Sequence, residues 1–259
     1  MANAPAPAQG TRPEGVESEA DASRKVREMF SQIAPRYDLL NHLLSFQLDR
    51  IWRKRTAKLL RPVLEQGDAR VLDLCCGTGD LAITIARRYK VDLIGADFAR
   101  TMLTRAREKS VSLHSPTPAP LRPIQLVEAD ALRLPFADNS FNLVTSAFGF
   151  RNLANYEAGL CEIHRVLKPG GTIAILEFTE PPDTFLGNIY RWYFRRVLPR
   201  IGAILSGDSA AYTYLPNSVS RFFRPAELSS LMSAAGFVSA NFHLWNFGSV
   251  ALHTAQRPL

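Results

Sequence analysis

From Val71 onward, short apolar runs alternate with segments of helical period, and that alternation constrains the fold more than any other feature of the sequence. Arg70 to Cys75 reads as a first buried strand and Asp80 to Tyr89 as the helix after it, with Leu81, Ile85 and Arg88 at helical spacing. Val91 to Ala96 and Ala99 to Lys109 repeat the unit. Ser115 to Pro123 holds four prolines and must be a loop, because proline breaks both helix and sheet ladders. Ile124 to Ala129 and Phe141 to Ala147 give a third and a fourth strand. A helix from Asn155 to Leu167, with Leu160, Ile163 and Leu167 on one face, is expected to stop at Lys168-Pro169-Gly170-Gly171, followed by a fifth strand from Thr172 to Phe178.

The rhythm breaks after Glu180. Phe185 to Leu205 is helical in pattern, rich in arginine and aromatic residues, and carries Leu186, Ile189, Tyr190, Tyr193, Val197 and Ile201 along one side. Such a face suits core packing over a site, and it equally suits a membrane interface or a greasy tunnel. Alternation resumes with a helix from Pro225 to Ala235 closed by Gly236, then apolar strands around Val238 to Trp245 and Ser249 to Ala255. Joined at Asn246-Phe247-Gly248, those two strands can only pair antiparallel, since a parallel pair needs a long crossover. The expected class is α/β: a mostly parallel seven-stranded sheet with a C-terminal antiparallel hairpin and helices on both faces. One domain is expected over 23–259, with a helical lid at 23–66 and a helical insertion at 181–224 over the site.

Residues 1–22 are rich in Ala, Pro, Gly and Glu, lack an apolar block and read as a disordered arm. Neither the basic start nor the apolar stretch of a secretory signal occurs, and no run is long enough to span a bilayer. The expected location is the cytoplasm. Cys75, Cys76 and Cys161 have no C-x-x-C spacing and the histidines are scattered, so neither a disulfide nor a metal is assigned. A net charge of +7 suits a polyphosphate, an anionic membrane or a merely solvated surface. Its cations fall into two groups rather than one run: Arg50, Arg53, Lys54 and Arg55, then Arg191, Arg195, Arg196 and Arg200.

The strand ends carry the chemistry. Strand one finishes in Asp73-Leu74-Cys75-Cys76-Gly77-Thr78-Gly79-Asp80-Leu81, where glycines at 77 and 79 remove side chains from a turn that a ligand must approach. Through Ala82 the turn also fits the G-x-G-x-x-A of a dinucleotide-binding dehydrogenase. Asp97 closes strand two, where a carboxylate can accept from both ribose hydroxyls. Asp130 follows strand three, level with an adenine whose amino group it can accept from, while Ala131 offers a backbone N–H to a ring nitrogen. Each acid also has a plain reading as a cap, Asp97 of the helix beginning at Ala99 and Asp130 of a turn. Their places on consecutive carboxyl ends of one sheet favour a single adenosine.

These segments, with Leu167-Lys168-Pro169-Gly170-Gly171, resemble class I S-adenosylmethionine-dependent methyltransferases. More narrowly, four stretches resemble the ubiquinone/menaquinone biosynthesis C-methyltransferase family: Tyr37-Asp38-Leu39-Leu40-Asn41 with Leu44-Ser45-Phe46; Phe148-Gly149-Phe150-Arg151-Asn152; Leu198-Pro199-Arg200-Ile201-Gly202; and Val250-Ala251-Leu252-His253. The resemblance runs from about Val26 to the C-terminus and implies a Rossmann-like fold, S-adenosylmethionine as cofactor and a homodimer as one option. By it, Thr78, Asp97, Asp130 and Ala131 match cofactor-binding positions, and Asp73, Gly77, Gly79 and Ala147 complete the candidate set. Ala147 departs from the family, which commonly has Ser there.

The resemblance further implies methyl transfer to a ring carbon of a lipid-tailed quinol, demethylmenaquinol in the first instance and the ubiquinone precursor as runner-up. That carbon is a weak nucleophile until its neighbouring hydroxyl ionises, which costs roughly 4 kcal/mol at neutral pH for a phenol pKa near 10. Arg151 is the candidate charge beside that oxygen, with a loop-bracing salt bridge as its ordinary alternative. Tyr37 and Asp38 are candidates for a proton relay, or simply a helix start. The membrane's inner face is an expected site of peripheral contact, and nucleic acid is not an expected partner. A dehydrogenase, a methyltransferase of a small soluble acceptor and a noncatalytic adaptor remain rivals at this point.

Overall fold

The computed structural model describes residues 10–13, 15–16, 18–35, 37–111, 122–181, 184, 187, 196, 214 and 217–259. Four helices precede the sheet: α1 (Glu19–Ile33), α2 (Tyr37–Leu44), α3 (Leu48–Leu59) and the short α4 (Arg61–Leu64). The alternating part follows as β1 (Arg70–Leu74), α5 (Asp80–Ala86), β2 (Asp92–Asp97), α6 (Arg100–Val111), β3 (Gln125–Glu128), β4 (Phe141–Ala147), α7 (Tyr156–Val166) and β5 (Leu167–Phe178). It closes with α8 (Pro225–Ala234), β6 (Val238–Trp245) and β7 (Val250–Gln256). The seven strands lie in the order β3-β2-β1-β4-β5-β7-β6. β1 to β5 are mutually parallel, and β7 runs antiparallel between β5 and β6, as the short hairpin connection requires. The seven-stranded mixed sheet with its C-terminal hairpin is thus as the sequence indicates.

Period-two alternation divides the strand side chains between two cores. On one face Leu72, Ile94 and Val144 pack with Leu160 and Ile163 of α7 and Leu228 and Met232 of α8. On the other, Val71, Leu93 and Leu143 pack with Trp52, Leu64, Leu81 and Ile85 from α3, α4 and α5. Both faces are covered, so these strands read as continuous apolar runs. Each large side chain withdrawn from water contributes roughly 1.5–3 kcal/mol.

Two expectations need correction. The Lys168-Pro169-Gly170-Gly171 segment belongs to β5 instead of ending the preceding helix, which stops at Val166. Leu167 sits opposite Phe141 and Thr172 opposite Leu143, so the four residues form a bulge on the strand. Gly170 takes φ 75°, open to glycine, and its N–H reaches the Arg257 carbonyl at 3.0 Å. Nor are residues 1–22 a disordered arm throughout. Thr11 N–H donates to the Leu153 carbonyl at 2.8 Å, an Arg12 guanidinium N–H donates to the Ala154 carbonyl at 2.6 Å, and α1 already starts at Glu19 behind the Ser18 cap. A Cβ on Gly10 would lie 1.9 Å from the Ala154 carbonyl oxygen, so glycine lets this segment lie flat on the loop. Composition missed the docking because polar backbone contacts hold it, with little apolar burial. Most of 181–224, including the apolar side from Leu186 to Ile201, lies outside the described residues. Among the described residues no helix is long and apolar enough to cross a membrane.

Candidate active site

A cleft opens outside the carboxyl ends of β1 to β4, where open α/β sheets bind ligands. Its floor is the glycine turn. Gly77 (φ 55°) and Gly79 (φ 81°) both take left-handed backbone, and a Cβ on Gly79 would stand 3.2 Å from that of Ala106 on α6. The Gly77 N–H donates to Asp97 Oδ2 at 2.9 Å, and the Ala99 N–H to Asp97 Oδ1 at 2.9 Å. Asp97 therefore holds the turn into α6 while lining the cleft. Burial raises its carboxyl to about 6, against the pull of those amides.

Asp130, Ala131 and Leu132 form the wall after β3. Asp130 is exposed and accepts the Leu132 N–H at 2.9 Å, a small turn that aims the carboxylate at the cleft. The Ala131 N–H meets no acceptor among the described residues. A donor without a partner beside an exposed acid is what an adenine edge requires. Phe98, Met102 and Leu132 supply apolar surface for the ring, so the cleft fits S-adenosylmethionine.

Other candidates sit elsewhere. Asp73 is 1% exposed, and its two oxygens accept from Thr145 Oγ1 at 2.8 Å and Ala82 N–H at 3.0 Å. These bonds tie β1 to β4 and α5, so the carboxyl positions the turn and does not line the main cleft. Burial raises it to about 7. Thr78 is buried and donates to Asp38 at 2.5 Å, while Ala147 borders a small pocket shared with Arg53 and Asp80. Tyr37 lines that pocket and the main cleft alike, with its ring edge over Gly77. Burial raises the Tyr37 phenol, with Arg151 and Arg53 close enough to pull the other way.

Arg151 does not line the cleft. It is 5% exposed and donates to Glu177 Oε1 at 2.7 Å, to the Phe148 carbonyl at 2.5 Å and to Ser218 Oγ at 3.3 Å. Burial also pushes Glu177 up, and Arg151 draws it back. The direct role beside the acceptor oxygen gives way to bracing of the loop after β4, because the guanidinium is engaged by Glu177. From the Val250-Ala251-Leu252-His253 stretch, His253 is buried, with Nε2 3.2 Å from the Pro225 carbonyl, and ties β7 to α8.

Sequence reasoning expected a helical lid at 23–66 but missed its fastenings. α1 crosses the strand ends, with Ser23 and Phe30 facing the cleft. Asn155 donates to Glu19 at 3.1 Å at one end, and Arg27 pairs with Glu128 at the carboxyl end of β3. Beneath the lid, Lys109 pairs with Asp38 at 2.8 Å and with Asp80 at 2.5 Å, while Arg53 joins Asp80 to Asp49, which also meets His42 at 2.7 Å. His42, Asp49 and Asp80 converge closely enough for a metal, but the cation among them is Arg53. Helical period was the available signal: Asp49, Arg53 and Thr56 repeat on the inner side of α3.

A parallel sheet with one antiparallel hairpin, a glycine turn and acids at consecutive strand ends together define a class I S-adenosylmethionine-dependent methyltransferase. A crystal structure of such a methyltransferase from Thermotoga maritima superposes with a TM-score of 0.61 at 18% identity, covering 90% of this chain and 99% of that one, and shows the fold. The chain belongs to the ubiE/COQ5 methyltransferase family, whose sequence model matches residues 18–257. It is 49% identical over 231 residues to the demethylmenaquinone methyltransferase of Thermus thermophilus, covering 89% of this chain and 100% of the relative. It is 41% identical over 241 residues to the ubiquinone/menaquinone biosynthesis C-methyltransferase UbiE of Geobacter sulfurreducens, covering 92% and 91%.

Proposed function

We propose that the chain methylates a ring carbon of a polyprenylated quinol, converting demethylmenaquinol to menaquinol. The carrying observation is the 49% identity over the whole length of a relative named for that reaction. Bound S-adenosylmethionine supplies an electrophilic methyl on a sulfonium. Asp97, Asp130 and the Ala131 N–H hold the nucleoside, and the glycine turn admits the rest. Phe30, Phe148 and Leu153 leave the other wall of the cleft apolar, which suits a flat hydrophobic ring. Alignment of ring carbon and methyl supplies much of the rate.

The acceptor hydroxyl must still ionise. Its proton passes to water in the cleft, and the ring-carbon hydrogen displaced by the methyl leaves as a proton by the same route; Tyr37, whose phenol is held protonated by burial, donates a hydrogen bond to the phenolate, while Asp38 behind it orients the tyrosine segment through Thr78 and Lys109. Arg151 contributes by fixing the loop that carries Phe148 and Gly149.

The test is an assay of the purified chain with S-adenosylmethionine and a short-tailed demethylmenaquinol, read by mass. The expected result is the quinol plus one methyl group. Tight S-adenosylhomocysteine binding with no methylated quinol would sink the reading. A parallel assay with the ubiquinone precursor separates the two quinones, and Tyr37→Phe is expected to lower kcat about tenfold or more with little change in cofactor affinity.

A further inference from the structure

α3 turns Asp49, Trp52, Arg53, Thr56 and Ala57 inward. Its outer side carries Arg50, Lys54, Arg55 and Lys58 in two helical lanes with Ile51 and Leu59, and no acid. Among the described residues none of these four cations is ion-paired. Ile51 is 45% exposed, Leu59 47%, and Phe46 on the turn before the helix 69%. The β6–β7 connection meets the same helix, where Trp52 Nε1–H donates to Asn246 Oδ1 at 2.8 Å, and the adjoining Phe247 is 67% exposed. A solvated helix face explains the cations but not the apolar side chains spaced among them.

We infer that this face docks on an anionic lipid bilayer, with the four cations against headgroups and Phe46, Ile51, Leu59 and Phe247 in the interfacial layer. Cations flanking exposed aromatic and aliphatic side chains match that boundary, where both terms add. A polyanion such as nucleic acid would use the charge and leave the apolar residues without a role. The face also lies close to the site. The inner side of the same helix places Trp52 against Phe148, with ring centroids 5.9 Å apart, and Phe148 lines the cleft. Resting on the proposed quinol reading, this docking brings the cleft to a membrane-borne acceptor without extracting its tail into water.

Flotation of the full chain with phosphatidylcholine vesicles, with and without phosphatidylglycerol, tests it. Binding is expected only to the anionic vesicles, and it should fall steeply between low and high salt. Each lost cation weakens binding by about fivefold, so Lys54→Ala/Lys58→Ala should bind roughly twentyfold more weakly. Arg100→Ala/Arg107→Ala, an equal loss of charge at exposed positions on α6, should bind almost normally. Phe46→Ser should weaken vesicle binding and leave capture of duplex DNA, if there is any, unchanged. The inference is overturned by no binding to anionic vesicles at low salt, by equal losses in the two double variants, or by preferred binding of DNA that ignores Phe46. Methylation of a short-tailed quinol, measured alongside, keeps the two readings apart. If it persists without vesicle binding, only the docking face falls; vesicle binding without any quinol methylation removes the functional reading alone.

Discussion

Asp97 and Asp73 are buried carboxyls with opposite duties, and both should be visible in pH titrations. Asp97, raised to about 6, accepts best when ionised. Affinity for S-adenosylhomocysteine is therefore expected to fall as pH drops through 6, and Asp97→Asn to bind about tenfold or more weakly with that pH dependence gone, as calorimetry would show. Asp73, raised from 3.8 to about 7, binds a proton in the folded state that the unfolded chain has already released. Its contribution to stability is full below about pH 4 and is lost as pH rises toward 7. Asp73→Asn should accordingly flatten the decline in Tm between about pH 4 and 7; an unchanged slope would refute the assignment. Arg151→Ala leaves the buried Glu177 without its cation, which costs about 3–5 kcal/mol in urea unfolding. The placement of Asp97, Asp130 and Ala131 after consecutive strands was legible because strand ends announce themselves in sequence. Glu177 and Lys109 were not, since their partners come from distant segments and one chain shows no pairing.

At the level of elements, most boundaries were readable to within a few residues, because apolar period and proline or glycine punctuation act locally: β4 at Phe141–Ala147 matches its expected span. The bulge in β5 escaped because Pro169 and Gly170 look the same in a helix stop and in a kinked strand. The segment at Gly10 to Arg12 escaped for a different reason. Its hold on Leu153 and Ala154 is made by backbone groups and one guanidinium, which no hydropathy pattern reports. Gly10→Val should expel it, because the new Cβ would fall 1.9 Å from a carbonyl oxygen. Hydrogen exchange is expected to speed up in α1 relative to the wild type while β1 and β4 keep their protection. Equal exchange in α1 would show that this segment does not secure the roof.

For the whole molecule, β7 joins the parallel strands to the edge strand β6. It covers the edge of β5 over seven paired residues, from Thr172 opposite Gln256 to Phe178 opposite Val250. A chain stopped after Phe237 would expose that edge, apolar at Ile173, Ile175 and Leu176, and should sediment as aggregate. A dispersed, folded monomer would contradict this.

The helix fastened across the cleft at Glu19 and Arg27 has a kinetic corollary. Exchange of fresh donor for spent thioether past this helix is expected to wait on a brief local parting of those contacts. Steady-state turnover should then slow in viscous solvent, while the first burst of product from preloaded enzyme keeps its speed.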